Sequence, residues 1–136
     1  LDKKLDPGWV PRIIHSNPEI ASIGCYYETA HHLGFRAVEG RCVMEDIDGA
    51  ELRGDEGGWV RIVADKTTAR VIGAQMVLNR ASDLIPMISL ALRKGLTVET
   101  LKGICCDGSS AARGIKEAAR ACSEALKNGR AGPGWD

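Results

Sequence analysis

The chain has 136 residues, enough for one hydrophobic core, since a domain near that size buries roughly 68–70% of its unfolded surface. Hydrophobic residues make up 44% and charged residues 26%, and 18 basic against 18 acidic side chains cancel to a formal charge of zero, so neither nucleic acid nor an anionic membrane is an expected partner. No apolar run approaches the ~20 residues that span a bilayer, and the opening Leu1-Asp2-Lys3-Lys4-Leu5 lacks the apolar stretch of a signal peptide, which makes a cytoplasmic protein the expectation.

The first residue is Leu1 rather than Met, so the chain is expected to have been cut from a longer one. Residues 1–8, polar and containing Pro7-Gly8, read as a linker; 9–128 read as the domain; 129–136, with Gly-Pro-Gly inside, read as a flexible tail.

Val10 to His15 alternates weakly and is bounded by Pro11 and Pro18, which suits a strand near a sheet edge, where missing N–H groups do little harm. Glu28 to Leu33 reads as a short helix stopped by Gly34, and Phe35 to Val43 as a second strand. The acidic, glycine-punctuated stretch from Glu45 to Gly58 favours loop or edge structure.

The clearest local signal is the pair of β-branched runs Trp59 to Ala64 and Arg70 to Leu78, joined by the polar Asp65 to Ala69, which predicts a hairpin. The period then changes. Leu84, Ile88 and Leu92 recur at helical spacing, with Ser82 as the expected N-cap, Pro86 in the first turn and Gly95 as the stop. A short helix follows Thr97 and a longer one follows Ser109-Ser110. In the last, Ala111, Ile115, Ala118, Cys122 and Ala125 form an apolar stripe of small residues suited to close packing. Strands, a hairpin and then helices make the fold class α+β.

Five cysteines, Cys25, Cys42, Cys105, Cys106 and Cys122, are odd in number and contain no C-x-x-C pair, so reduced thiols are expected rather than a disulfide framework or a structural zinc site.

The segment Val10-Pro11-Arg12-Ile13-Ile14-His15-Ser16-Asn17-Pro18-Glu19-Ile20-Ala21-Ser22-Ile23-Gly24 resembles the opening of the dimerisation domain of flavin-dependent disulfide oxidoreductases such as dihydrolipoamide dehydrogenase, glutathione reductase and mercuric reductase. The likeness continues through Gly58-Trp59-Val60-Arg61, Asp65-Lys66-Thr67, Ile72-Gly73-Ala74, Ala81-Ser82-Asp83-Leu84-Ile85 and Leu96-Thr97-Val98-Glu99. It implies an antiparallel sheet with helices packed against it, a homodimer, and FAD-binding and NAD(P)-binding domains preceding this one in a parent protein. The chain itself has no G-x-G-x-x-G and no C-x-x-x-x-C redox pair, so no cofactor is expected within it.

The resemblance also implies a motif H-x-H-P-T-x-x-E, whose second His and Glu form an acid/base dyad serving the partner subunit. Here it falls on Cys106-Asp107-Gly108-Ser109-Ser110-Ala111-Ala112-Arg113, so the dyad positions hold Gly108 and Arg113. Glycine has no titratable group and arginine stays protonated, so no catalytic residue is assigned. The family's Asn-x-Arg-Ala stretch corresponds to Ile47-Asp48-Gly49-Ala50, without the arginine.

Cys105-Cys106 is a weak candidate for metal binding, since vicinal thiols take soft metals; the alternative is that one packs as a small hydrophobe and the other is incidental. His31-His32 point in different directions on a helix and lack a third ligand, which favours surface histidines. His15 is placed to titrate near neutral pH but carries no catalytic assignment. Glu45, Asp46, Asp48, Glu51, Asp55 and Glu56 lack calcium-loop spacing and read as a solvated loop. The expected function is homodimerisation of a larger FAD- and NAD(P)H-dependent oxidoreductase lacking its usual dyad, the domain alone not being an enzyme. The alternatives are a free-standing interaction module derived from that domain and a vicinal-thiol metal or redox site.

Overall fold

The hairpin expected around Asp65 is the centre of a five-stranded antiparallel sheet. In the computed structural model, which describes residues 7–129, its strands are β4 (Trp59–Asp65) and β5 (Val71–Leu78). Asp65 builds the turn. Its carboxylate accepts from the Thr67 amide at 3.3 Å and the Thr68 hydroxyl at 2.8 Å, and its own N–H donates to the Arg70 carbonyl at 2.9 Å. Outside β4 lies β3 (Ala37–Val43), with Gly40 opposite Ile62. Outside β5 lies β2 (Glu19–Gly24), with Ser22 opposite Gln75, and then β1 (Arg12–Ile14) at the edge.

The chain-order reading passes over β2, and the reason is physical. Ala21, Ser22 and Ile23 are consecutive and all buried, because helix covers one face of this strand while the Tyr26 hydroxyl closes on Ser22 Oγ (3.1 Å) from the other. A strand covered on both faces loses the period-2 alternation that marks one half-exposed.

Three other expectations are corrected. Only Ala30–Leu33 of the expected helix forms, as a single 3-10 turn, and the second strand begins at Ala37 rather than Phe35. The acidic stretch after β3 carries a 3-10 turn at Met44–Asp46 and one helical turn, α1 (Ala50–Arg53). Within it Asp55 is 4% exposed, its two oxygens accepting from Arg53 Nε at 3.0 Å and the Asn79 amide at 3.0 Å, so it ties the stretch to the end of β5 instead of sitting in solvent. Residues 1–6 of the expected linker and 130–136 of the expected tail lie outside the described residues; Pro7–Trp9 form a 3-10 turn packed near β2.

The long helix α2 (Ala81–Lys94) ends at Gly95, whose φ of 62° is a left-handed conformation that glycine adopts without a Cβ penalty. Its start differs from expectation. Arg80 occupies the N-cap without a side-chain capping bond, its guanidinium pairing with Asp83 at 2.7 Å instead, and Ser82 lies inside the first turn, which moves Pro86 into the second. The capping acceptor comes from β2: Glu19 Oε1 accepts from the Ser82 amide at 3.2 Å and the Ser82 hydroxyl at 2.8 Å, while Oε2 pairs with His15 Nδ1 at 2.8 Å. A carboxylate there also suits the positive end of the helix dipole. The Ser82 hydrogen bonds, with His15 adding to them, hold the Glu19 carboxyl below its usual 4.5, so its contribution is present above that value and is lost as pH falls through the lowered one. Glu19→Gln is expected to speed hydrogen exchange at Ser82 and Asp83 at neutral pH and to leave later turns unchanged; wild-type exchange at both amides would contradict the cap.

Thr97 caps the short α3 (Val98–Lys102), its Oγ1 accepting from the Thr100 amide at 3.4 Å. The last helix, α4 (Ala112–Lys127), packs on β3 and β4. Its small-residue stripe does what close packing requires. Ile115, Ala118, Ala119 and Cys122 are fully buried, and the backbone of α4 at Ala118 and Cys122 occupies the space where a side chain on Gly40 would begin. Both α2 and α4 cover the sheet face that carries Ile23, Ile62, Met76 and Leu78, each at most 1% exposed, and burying each such side chain contributes about 1.5–3 kcal/mol.

Candidate functional site

The segment at the expected dyad positions connects α3 to α4. After the Ile104 amide closes on the Leu101 carbonyl (3.1 Å), residues 104–107 have no regular structure; the Ser110 amide then bonds to the Asp107 carbonyl (3.0 Å) and Ser110 Oγ accepts from the Ala112 amide (3.2 Å). The Ser109 hydroxyl donates to the Asp107 carboxylate, and this bond is the main reason that carboxyl lies below its usual range. Arg113 Nη1 donates to the Gly108 carbonyl at 3.1 Å and lies 3.7 Å from Asp48 Oδ2, with Arg113 Nε 3.6 Å from Glu117. Gly108 and Arg113 are therefore brought together, and the guanidinium serves as a clasp on the loop and on the segment before α1.

None of the five cysteines is in a disulfide, and they fall into two groups. Cys42 and Cys122 belong to the core, 6% and 0% exposed; burial, aided by the charges of Asp46 and Glu117, pushes the Cys42 thiol up to about 11, and burial with Glu39 nearby pushes Cys122 up to about 12. Cys25 and Cys106 are half-buried and Cys105 is exposed. No group of three His, Cys, Asp or Glu side chains suited to a metal ion is present among the described residues. His31 and His32 are exposed with ring centroids 3.9 Å apart, and His15 is taken up by Glu19.

One polar cluster has no counterpart among the residues singled out from the sequence. On the sheet face away from α2 and α4, Arg61 donates from both terminal nitrogens to Glu28 (2.9 and 3.0 Å) and from Nε to Gln75 Oε1 (2.7 Å). Its Nη1 also lies 3.2 Å from Glu39 Oε2. The Glu39 side chain is 1% exposed and neither oxygen has a hydrogen-bond partner; desolvation raises its pKa, and the positive charges of Arg61 and Arg41 only partly offset this. The signal was available: Glu39 and Arg61 sit in the middle of β-branched strands at positions that alternate with core residues, and charge at such sites implies a partner. Through Glu28, this cluster also fastens the segment after β2 onto the sheet, where Gln75 Nε2 donates to the Cys25 carbonyl (3.1 Å).

Residues 10–119 match the family model for the dimerisation domain of pyridine nucleotide-disulphide oxidoreductases. The chain belongs to this family. Among curated proteins it is similar to mercuric reductase of Lysinibacillus sphaericus, 33% identical over 119 residues, spanning 88% of this chain and 22% of that protein. It is also similar to dihydrolipoyl dehydrogenase of Chlorobaculum parvum, 29% identical over 88% of this chain and 25% of the relative. Among solved structures, LpdA of Mycobacterium tuberculosis superposes with a TM-score of 0.79 at 27% identity, over 85% of this chain and 25% of that one. The HOCl-induced flavoprotein disulfide reductase RclA of Escherichia coli shares the fold, with a TM-score of 0.75 at 19% identity over 82% of this chain and 26% of that one.

As a dimerisation domain of the pyridine nucleotide-disulphide oxidoreductases, the chain spans about a quarter of the length of these relatives. Family membership agrees with the α+β architecture. The described residues do not fit a dinucleotide: all strand pairs are antiparallel, so no βαβ crevice forms, and the turn from β5 into α2 is Asn79-Arg80, without the glycines that let a pyrophosphate approach backbone. No helix among the described residues is long and apolar enough to cross a membrane.

Proposed function

We propose that this chain is the homodimerisation domain of a larger FAD- and NAD(P)H-dependent oxidoreductase of the cytoplasm, in which the usual His-Glu dyad is replaced by Gly108 and Arg113. The observation that carries the reading is the family match over residues 10–119, joined to the small share of each relative that the chain spans. Flavin and nicotinamide are held by the rest of the parent.

The chemistry of the α3–α4 loop supports the loss of proton transfer there. A family dyad needs an imidazole to move a proton and a carboxylate to orient it. Gly108 offers only backbone, and Arg113 carries a permanent positive charge engaged by the Gly108 carbonyl and two carboxylates. Asp107 is a carboxylate kept ionised by Ser109, and so is a poor proton carrier near neutrality. The parent therefore handles a substrate that does not need this dyad, or has given up dithiol exchange.

The reading frame upstream of residue 1 is the direct test, with a G-x-G-x-x-G segment and a C-x-x-x-x-C pair expected. The purified chain is expected to sediment as a dimer and to turn over neither diaphorase substrates nor lipoamide. Turnover by the chain alone, or a start codon immediately before residue 1, would overturn the reading and favour a free-standing module.

A further inference from the structure

We propose that Cys105 and Cys106 form a dithiol site for trivalent arsenicals, soft centres that are held by two sulfurs. The site lies outside both the core and the Arg61 cluster.

The structure sorts the thiols by access. Cys42 and Cys122 are in the core, with their pKa values raised to about 11 and about 12, so both are poor nucleophiles; Cys25 is half-buried at the end of β2, with its N–H on the Ile72 carbonyl and its carbonyl on Gln75. Cys105 is exposed and Cys106 half-buried, adjacent in a segment that belongs to neither helix nor strand. Regular structure would work against two neighbouring thiols acting together, since successive side chains alternate faces in a strand and diverge around a helix. Here the two residues are consecutive, with Cα atoms about 3.8 Å apart, and neither lies in a helix or strand that would fix the two side chains on diverging sides.

The absence of a third ligand sets the chemical class. No group of three metal-ligating side chains occurs among the described residues, so a tetrahedral zinc site or an oxygen-ligated hard cation is not built here. Two thiolates alone suffice only for soft centres with a strong preference for sulfur. With a trivalent arsenical the step balances without any redox partner. Two S–H bonds break, two As–S bonds form, both protons leave with the arsenical oxygen as water, and arsenic stays trivalent.

The test uses the reduced full chain titrated with phenylarsine oxide and read by intact mass and by protection from a monothiol reagent. The expected result is a single arsenical per chain, released by excess small dithiol. Cys105→Ser and Cys106→Ser should each weaken binding on the order of 100-fold, because capture by the second thiol is intramolecular. Cys25→Ser should leave binding unchanged. The proposal is overturned if either loop variant binds as tightly as the wild type, if Cys25→Ser abolishes binding, or if the wild type binds no better than the single-thiol chains. Circular dichroism of each variant confirms that the fold is kept; the exposed Cys105 position makes Cys105→Ser the safer of the two.

Discussion

Gly40→Ala is expected to destabilise the chain by ~3 kcal/mol or more, visible as a fall in Tm of roughly 10 °C and a matching drop in the urea midpoint. The cause is one carbon atom. A Cβ on Gly40 would lie among the backbone atoms of α4, with the Cα of Cys122 at 2.6 Å and the Cys122 nitrogen and Ala118 oxygen nearer still. Side chains can rotate away, but a helix backbone cannot. Either α4 shifts off β3, uncovering Ile115, Ala118 and Cys122, or the strand bends and loses its pairing with β4. Gly103→Ala is the matched control, since its Cβ would meet nothing closer than the Thr100 carbonyl at 3.4 Å, and it is expected to change stability little. A Gly40→Ala chain as stable as the control would show that α4 does not sit this close in solution.

The second large effect is expected at Arg61. Arg61→Met removes the counter-charge from Glu39, whose side chain is 1% exposed, and breaking a buried pair from one side typically costs about 3–5 kcal/mol. Little of this comes from Glu28, which is 59% exposed and contributes as a surface partner. The signature is a pH dependence. Burial holds Glu39 above its usual 4.5, so its folded form binds the proton more tightly than the unfolded chain. Its contribution to stability is therefore full below the unfolded value and is lost as pH rises through the folded one. Removing Arg61 raises the folded value further and deepens that loss on the neutral side. The deficit of Arg61→Met relative to wild type should shrink as the pH approaches 4.5, and Glu39→Gln in the same background should recover most of it. A deficit independent of pH, or unchanged by the second substitution, would assign the cost to lost packing of the long Arg61 stem.

The two effects separate the two faces of the sheet. On one face, small residues in β3 and α4 let backbones approach; on the other, a buried guanidinium joins β4, β5 and the segment after β2. In the α3–α4 loop Arg113 is held by the Gly108 carbonyl and Asp48, and the exposed Cys105 stands beside the half-buried Cys106.

Local and periodic features were legible in the sequence by itself. The β4–β5 hairpin, the stripe of α4, the Gly95 stop, Thr97 at the head of α3 and the family membership all follow from residue order, because each depends on neighbours a few positions away or on a continuous string. Only the tertiary structure decided what distant residues do to one another. β2 was invisible because coverage on both faces erases its alternation. The cap of α2 was misplaced onto Ser82 because the acceptor, Glu19, arrives from another strand more than sixty residues earlier. Asp55 and Glu39 look like ordinary acidic residues until burial shows that one is satisfied by hydrogen bonds and the other only by charge. Desolvation depends on every atom packed around a group, and no window of sequence contains that sum.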